Sequence, residues 1–386
     1  MKTPPLPAPR HVLMVETLPE GHHPMWVGLC AQAFAGLGAK ISIAAPEPAV
    51  LRERAGPHLE KVAAEYLPLP AAAKGAASLT VAGELLTNLG ADLCFCATMD
   101  NYMSDVLRRA ALGMRPPEVL RGKLGGVYHR PRPLDPRQGG LGNAFKRRGF
   151  RKLHAGGWWN AVYFLDPEVA KAAPENFPGL HSGLLGCPHE WRELPPRETA
   201  RQRLGVPNGA IALLHFGLGT KRKGLELTLN ALERCEHPEK FFLLRAGKSP
   251  ADSPTVARVR EMEKAGRARL LDYFVSTADE EMLYSAADVV LLPYLAHYGA
   301  ANLLPGAAAA DKPVLASDYA LVGQLVRENR LGWIFRDQDA ADLARQLDAL
   351  AALPSERWDD FKPGLAEFAA ANTYAAFIRS VQKQYV

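Results

Sequence analysis

"HVLMVETLPEGHHPMWVGLCAQAFAGLGAKISIAAP", residues His11 to Pro46, reads as strand, loop, helix and strand in turn. "HVLMVE" is a short buried strand and "TLPEGHHP" a loop. "MWVGLCAQAFAGLG" is a helix with Trp26, Cys30, Ala33 and Leu37 on one stripe, stopped by Gly38. "KISIAAP" is a second strand. A strand that returns through a helix to another strand builds a parallel sheet.

The same grammar continues along the chain. "ADLCFCAT" and "AVYFLD" read as further buried strands, and after residue 210 the pattern sharpens. "AIALLHFG" precedes a helix from Leu225 to Cys235 that carries Leu225, Leu229 and Leu232 on one face. "KFFLLRAG", "RARLLDYF", "DVVLLPY", "KPVLASD" and "LGWIF" are short apolar runs bounded by turn residues, and a last amphipathic helix spans Asp339 to Leu353. The expected architecture is α/β, with two doubly wound (Rossmann-like) domains facing a cleft. Residues 1–9 form a disordered Pro-rich lead, 10–165 the first domain, 166–210 a linker rich in Pro, Gly and charge, and 211–370 the second domain. Residues 371–386 form a terminal helix that packs back on the first domain.

At 386 residues and 48% hydrophobic positions the chain can bury two cores, and no apolar run is long enough to span a bilayer. Five cysteines in no close double pair fit a reducing, cytoplasmic setting, and the N-terminus has no secretory pattern. Cys94 and Cys96 alternate on one strand and read as a buried thiol pair rather than a zinc site. Charge is uneven. Between Arg121 and Lys152 ten basic residues face a single acid, Asp135, so this segment's surplus exceeds the whole chain's net +5. Phe145, Phe150, Leu153, Trp158 and Trp159 interleave with it, a composition that suits an anionic membrane or lipid-linked phosphate across residues 121–159, or a solvated helix. No nucleic-acid motif accompanies the segment, and none is expected as a partner.

Three constellations carry chemistry. In "HFGLGTKRKGL", Gly217, Gly219 and Gly224 make a glycine-rich turn between strand and helix. Its free N–H groups, with Lys221, Arg222 and Lys223, suit phosphate, although a plain turn with solvated lysines has the same letters. In "HYGAANLLPG", Tyr298, Gly299, Ala300 and Ala301 lead to Asn302 as N-cap of a helix whose amides are open to an anion, or simply capped and packed. In "PEGHHPMW", His22 and His23 sit in the loop after the first strand, where a histidine pair can act as acid or base; Asp100 and His129 are further candidates at the same edge. No set of residues at metal-ligand spacing stands out, so no metal site is expected.

Over nearly its whole length, strongly from about residue 198 to 355 and loosely before, the chain resembles the GT-B glycosyltransferases, most closely the retaining group called family four, in a divergent bacterial polysaccharide-type branch. The resemblance rests on "FGLGTKRKGLELTLNAL", "LLDYFVSTADEEMLYSAADVVLLPY", "GAAAADKPVLASDYALVGQLV" and "LGWIF" in that order. It implies that Lys223 and Gly224 meet a donor diphosphate, and that Tyr273, Phe274 and Val275, in the loop reaching Thr277, cup the nucleotide base. It also implies that the stretch from Tyr298 to Asn302 holds phosphate and sugar. Leu218 stands where the family has an arginine, and Tyr298 and Gly306 stand where it has the two glutamates of E-x7-E. The implied activity is hexosyl transfer from a nucleoside-diphosphate sugar to a glycan, lipid-linked or small-molecule acceptor. Such transfer is retaining, metal-independent and without a cofactor, although a base at His22 or His23 would permit inversion. The alternative is a catalytically inactive scaffold of the same fold.

Overall fold

The computed structural model describes residues 4–59, 62–250 and 252–385. The chain divides into two compact units, the first running to Gly186 and resuming at Tyr374, the second spanning Cys187–Thr373.

Unit 1 is built on a parallel sheet of β1 (His11–Val15), β2 (Lys40–Ala45), β3 (Ala64–Pro68), β4 (Leu93–Cys96), β5 (Leu124–Tyr128), β6 (Trp159–Phe164) and β7 (His181–Leu184). Its strand order is β3-β2-β1-β4-β5-β6-β7. β1 lies between β2 and β4, with Val12 opposite Ile41 on one side and Leu93 on the other. Helices cover both faces, which is why β1 and β4 are unbroken apolar runs. Cys94 and Cys96 are fully buried and unpaired, as expected.

Unit 2 repeats the plan with β8 (Ile211–Phe216), β9 (Phe241–Ala246), β10 (Ala268–Leu271), β11 (Val289–Leu292), β12 (Val314–Ser317) and β13 (Gly332–Phe335), ordered β10-β9-β8-β11-β12-β13. In each sheet the strand order reverses once, between β1 and β4 and between β8 and β11. At such a reversal the connecting helices leave to opposite faces, and the strands' carboxyl ends open a crevice.

The structure corrects the expected boundaries. The stretch 166–210 is not a linker but carries the helix Pro167–Asn176, β7 and the helix Arg197–Leu204. Asp166 caps the first of these by accepting from the backbone N–H of Glu168 and Val169, with Pro167 at its first position. The helix Arg197–Leu204 belongs to unit 2, where the buried Arg201 pairs with Asp288 at 2.9 Å. The lead also differs from expectation. Leu6 N–H donates to Gln384 O at 2.8 Å and Pro9 is buried, so residues 4–9 run along unit 1; residues 1–3 lie outside the described set. The first helix is His23–Ala35, so His23 opens the helix rather than lying in the loop, and Leu37 falls beyond its end.

The helix Tyr374–Gln382 completes unit 1. Phe377 meets Trp26 edge-on at 5.0 Å, Tyr163 Oη donates to Val381 O at 2.6 Å, and Gln382 Nε2 donates to Ala33 O at 2.9 Å. Phe377, Val381 and Tyr385 are buried, each worth about 1.5–3 kcal/mol of transfer free energy. Truncation after Thr373 should therefore destabilise unit 1 by more than about 3 kcal/mol. A thermal unfolding scan that shows no shift in either unit would contradict this packing.

Candidate functional site

In unit 2 the glycine-rich turn leaves β8 at the reversal point, beside the end of β11. Gly217 has a φ of 121°, and a Cβ there would lie 3.2 Å from Lys223 Cε and 3.3 Å from its Nζ. Beyond Leu218 and Gly219 the chain makes one short turn, Lys221–Lys223, and enters the helix Leu225–Arg234 at Gly224. With a φ of 72° and a virtual Cβ 1.8 Å from Pro293 O, Gly224 can be no other residue without moving the backbone. Two further bonds fasten the turn to the segment after β11: Leu295 N–H to Arg222 O at 2.9 Å, and an Arg222 Nη1 to His297 Nδ1 contact of 2.8 Å.

Lys223 is the centre of this arrangement. Its Nζ donates to Tyr294 Oη at 2.6 Å and lies 4.0 Å from that ring's centroid. Burial, reinforced by Arg222 and Arg245, pulls its pKa down to about 7, and none of the charges acting on it is a carboxylate. Arg245, on β9, is itself buried and lowered to about 10, chiefly by desolvation. Asp272 partly offsets Arg245, but no carboxylate acts on Lys223, and cations gathered in this way make a local field that favours an anion.

The neighbouring strand ends add to the site. Lys248, after β9, has its Nζ 5.3 Å from the centroid of Phe274. Tyr273 and Phe274 follow β10 with Val275, and Phe274 is 74% exposed, an open aromatic surface. After β11, Tyr298, Gly299 and Ala301 are buried, and the N–H groups of Gly299 to Leu303 have no hydrogen-bond partner among the described residues. The expected N-cap is corrected: Asn302 makes no side-chain cap, and its Oδ1 accepts from Cys187 Sγ at 2.9 Å instead. The helix that follows, Leu303–Ala309, has seven residues, so any pull on an anion comes from the free amides rather than from a long dipole. Lys221 is exposed at the rim.

The positions of the missing acids are also occupied. Gly306 O accepts from Trp191 Nε1 at 3.0 Å, and a Cβ on Gly306 would sit 3.3 Å from Tyr284 Oη and 3.4 Å from the His189 ring. A glutamate side chain would need the space these rings fill. Leu218 is half exposed and touches none of the cations by hydrogen bond.

In unit 1 the histidines gather at the other reversal point. Glu16, directly after β1, is 1% exposed, and its Oε1 accepts from the N–H groups of Thr17 at 2.8 Å and Leu18 at 3.0 Å. His23 Nδ1 lies 3.0 Å from the same oxygen, while Thr98 Oγ1, past the end of β4, donates to Oε2 at 2.9 Å. His22 stacks on His23 with centroids 4.8 Å apart and faces His129 at 5.9 Å. Burial first, then His129, His23 and Arg130, lowers His22 to about 3, so it is neutral at any working pH. Asp100 is brought close but is spent on structure: its carboxylate accepts from His129 N–H at 2.8 Å and Arg130 N–H at 2.9 Å. Burial pushes Asp100 up, yet the hydrogen bond and charge of His129 together with Arg130 outweigh it and hold it below the usual range. His129 packs edge-on to Trp26 at 4.5 Å, with its buried Nδ1 3.5 Å from Asp100 Oδ2.

Residue spacing did not reveal Glu16, Thr98, Tyr294, Arg245 or Lys248. The legible signal for Glu16 was an acid at the end of an apolar strand, and for Arg245 a cation inside one. Among the described residues no group of three or more His, Cys, Asp or Glu side chains is placed to hold a metal ion.

Residues 210–352 match the family described as "Glycosyl transferases group 1". A GDP-mannose:glycolipid 4-beta-D-mannosyltransferase of Xanthomonas campestris is 32% identical over 162 residues, which is 40% of this chain and 44% of that relative, so the match spans under half of the relative's length. Among solved structures, a glycosyltransferase of Rickettsia africae aligns over 97% of both chains with a TM-score of 0.71 and 16% identity. Anabaena HepE in complex with UDP and glucose aligns over 97% of this chain and 98% of its own, with a TM-score of 0.68 and 16% identity. Likeness at that identity establishes the fold, and the family match is confined to residues 210–352 in the second unit. The chain therefore has the GT-B architecture of two doubly wound α/β units, and its residues 210–352 are similar in sequence to the group 1 glycosyl transferases.

Proposed function

We propose that this chain transfers a hexose from a nucleoside-diphosphate sugar to a glycan or lipid-linked acceptor, with the donor held by unit 2 and the acceptor by unit 1. The observation that carries this reading is Lys223, a half-buried cation with no acidic partner at the sheet reversal of unit 2. The diphosphate would take Lys223, with Arg222 and the free amides from Gly299 to Leu303, and the base would lie on Tyr273 and Phe274. On leaving, the diphosphate gathers negative charge that these fixed donors stabilise, each to the extent of about 3 kcal/mol. The Xanthomonas relative's name makes GDP-mannose the first donor to try and a glycolipid the first acceptor class. That name also specifies a β linkage. From an α-linked mannosyl diphosphate such a product requires inversion, which favours inversion over the retention implied by family resemblance.

A pH signature follows from Lys223. A bound diphosphate favours the charged amine, so the donor should bind with full affinity below pH 7, where the free lysine is already protonated. Above the free value of about 7 affinity should fall as the pH rises, about tenfold per unit until the bound-state pKa is passed. Calorimetric titration of GDP-mannose between pH 6 and 9 reads this directly, and proton uptake at pH 8 should approach one. Lys223→Ala should weaken binding by about 10- to 100-fold, the value of a charged hydrogen bond to phosphate, and flatten the profile. An inert scaffold would show no nucleotide binding and no response to the substitution. Since the chain's own cations supply the positive charge, turnover should survive EDTA; loss of activity restored by a divalent cation would reverse that part of the reading.

We also place the protein on the cytoplasmic side of an anionic membrane surface. No helix among the described residues is long and apolar enough to cross a membrane. The expected aromatic patch is largely internal, since Phe150, Leu153, Trp158 and Trp159 are buried in the unit 1 core. What remains outside is one stripe of the helix Leu141–Ala155. Leu141, 92% exposed, and Phe145 share it with Arg148 and Lys152 at i, i+4, i+7 and i+11. Lys152 Nζ donates to Ala111 O, which sets the exposed Leu112 at the end of the stripe. Vesicles containing phosphatidylglycerol should sediment the protein at low salt and release it at high salt. The double variant Leu141→Asp, Phe145→Asp should stay in the supernatant at both.

A further inference from the structure

We propose that Glu280 selects the base of the donor nucleotide: its carboxylate accepts two parallel N–H groups from guanine, N1–H and one N–H of the 2-amino group, and so turns unit 2 toward guanosine diphosphate sugars. The inference rests on the nucleoside-diphosphate reading above and adds to it the residue that discriminates among bases. Every residue involved lies in unit 2.

The helix sets the position. Tyr273 and Phe274, exposed after β10, lead into the helix Thr277–Ala286, whose cap is Ser276. Glu280 stands early in this helix, one turn before Tyr284 on the same stripe. Tyr284 anchors the stripe. It is buried, its ring centroid is 4.6 Å from that of Trp191, and its Oη is 3.3 Å from the place a Cβ on Gly306 would take. Helical side chains lean toward the helix N-terminus, so Glu280 leans from this aromatic cluster toward the Tyr273 and Phe274 segment. In the strand order β10-β9-β8-β11, a nucleotide whose phosphates sit at Lys223 by the β8 and β11 ends reaches the end of β10 with its base.

Three acids stand in a row here, and one of them is unspent. Asp279 Oδ2 accepts from Ser276 Oγ at 2.8 Å and lies 3.5 Å from Tyr273 Oη, while Glu281 Oε1 accepts from Arg192 N–H at 3.2 Å. Glu280 is half-buried, and its carboxylate has no hydrogen-bond or ion-pair partner among the described residues. Burial first, then the charge of Glu281, raises its carboxyl to about 7. Burial and then the Glu280 charge also raise the Tyr284 hydroxyl, which places the carboxylate beside that ring. An acid drawn out of water without a donor is costly, and a ligand that brings donors relieves the cost.

The chemistry of the base edges names that ligand. A carboxylate only accepts, through two oxygens side by side. Guanine presents two adjacent donors on its pairing edge. Uracil flanks its one N–H with carbonyls, and adenine and cytosine set a ring lone pair beside the amino group. Each of these three turns an acceptor toward the carboxylate and is disfavoured for that reason. A ribose diol is the other partner that could give a carboxylate two bonds, and the experiment separates it from guanine.

The test is calorimetric titration of the full chain with GDP, inosine diphosphate, 2′-deoxy-GDP, ADP and UDP, at pH 8 so that a carboxyl of about 7 is ionised. Inosine diphosphate differs from GDP by lacking the 2-amino group. Wild type should bind GDP about 10- to 100-fold more tightly than inosine diphosphate, the value of one charged hydrogen bond, and ADP and UDP more weakly still. Glu280→Ala should bind GDP and inosine diphosphate within about twofold of each other, with no loss for ADP or UDP. The isosteric Glu280→Gln, which sets an N–H against one of guanine's donors, should show no preference for GDP either. Both variants should keep or raise the Tm, because they remove a half-buried acid that has no partner. Equal affinity of wild type for GDP and inosine diphosphate, or a preference that survives in Glu280→Ala, would overturn the proposal and leave the diphosphate site standing. So would a Glu280→Ala variant that loses discrimination between GDP and 2′-deoxy-GDP instead, since the acid then meets the ribose. A wild type that binds none of the diphosphates removes the donor reading of unit 2, and this proposal with it.

Discussion

Everything chemical in this protein depends on one topological constraint: with right-handed crossovers, an open parallel sheet can carry helices on both faces only if its strand order reverses, and the reversal leaves two strand ends uncovered. It falls between β1 and β4 in one unit and between β8 and β11 in the other. At the first, Glu16 and Thr98 meet across His23. At the second, Gly217 and Tyr294 meet across Lys223. Residues far apart in sequence become neighbours because their strands are adjacent, and their side chains converge because both follow a carboxyl end.

The two crevices differ in charge. The unit 2 crevice has Lys223, Arg222 and Arg245 with burial lowering the lysine, an arrangement that is costly until an anion arrives. Unit 1 has the reverse balance, a buried carboxylate satisfied by neutral donors and one imidazole. The departures from the family pattern fit this division. With Tyr284 and His189 occupying the room around Gly306, the unit 2 crevice has aromatic packing where the resemblance places an acid, and the charges that act on Lys223 are cations.

The glycines show how tightly the backbone is committed. Gly224 admits no Cβ because Pro293 O is there, and the helix Leu225–Arg234 could not begin where it does with any other residue. In β5, a Cβ on Gly125 would lie 2.9 Å from Ala161 O, and one on Gly126 2.3 Å from Cys96 O. "LGGVY" is a strand because its neighbours on both sides demand close approach, against its own propensity.

Sequence by itself determined the α/β class, ten of the strands, and the glycine-rich turn with Lys223, because continuous apolar runs and turn residues are local signals of burial and reversal. It did not disclose β3, β5 or β7. β3 is a half-exposed edge strand ending in Pro68, β7 is the short "HSGL" at the other edge, and β5 is glycine-rich. Each is a strand only by pairing. Nor did it separate linker from domain at 166–210, where polar composition hid a helix whose Arg201 is buried against Asp288. The pair His22 and His23 was visible as letters, but the surroundings of each were decided by tertiary structure. Burial removes His22 from titration, while Glu16 and Thr98, brought in by β1 and β4, orient His23. Ion pairing and proton transfer depend on distance in space, and only the folded chain sets those distances.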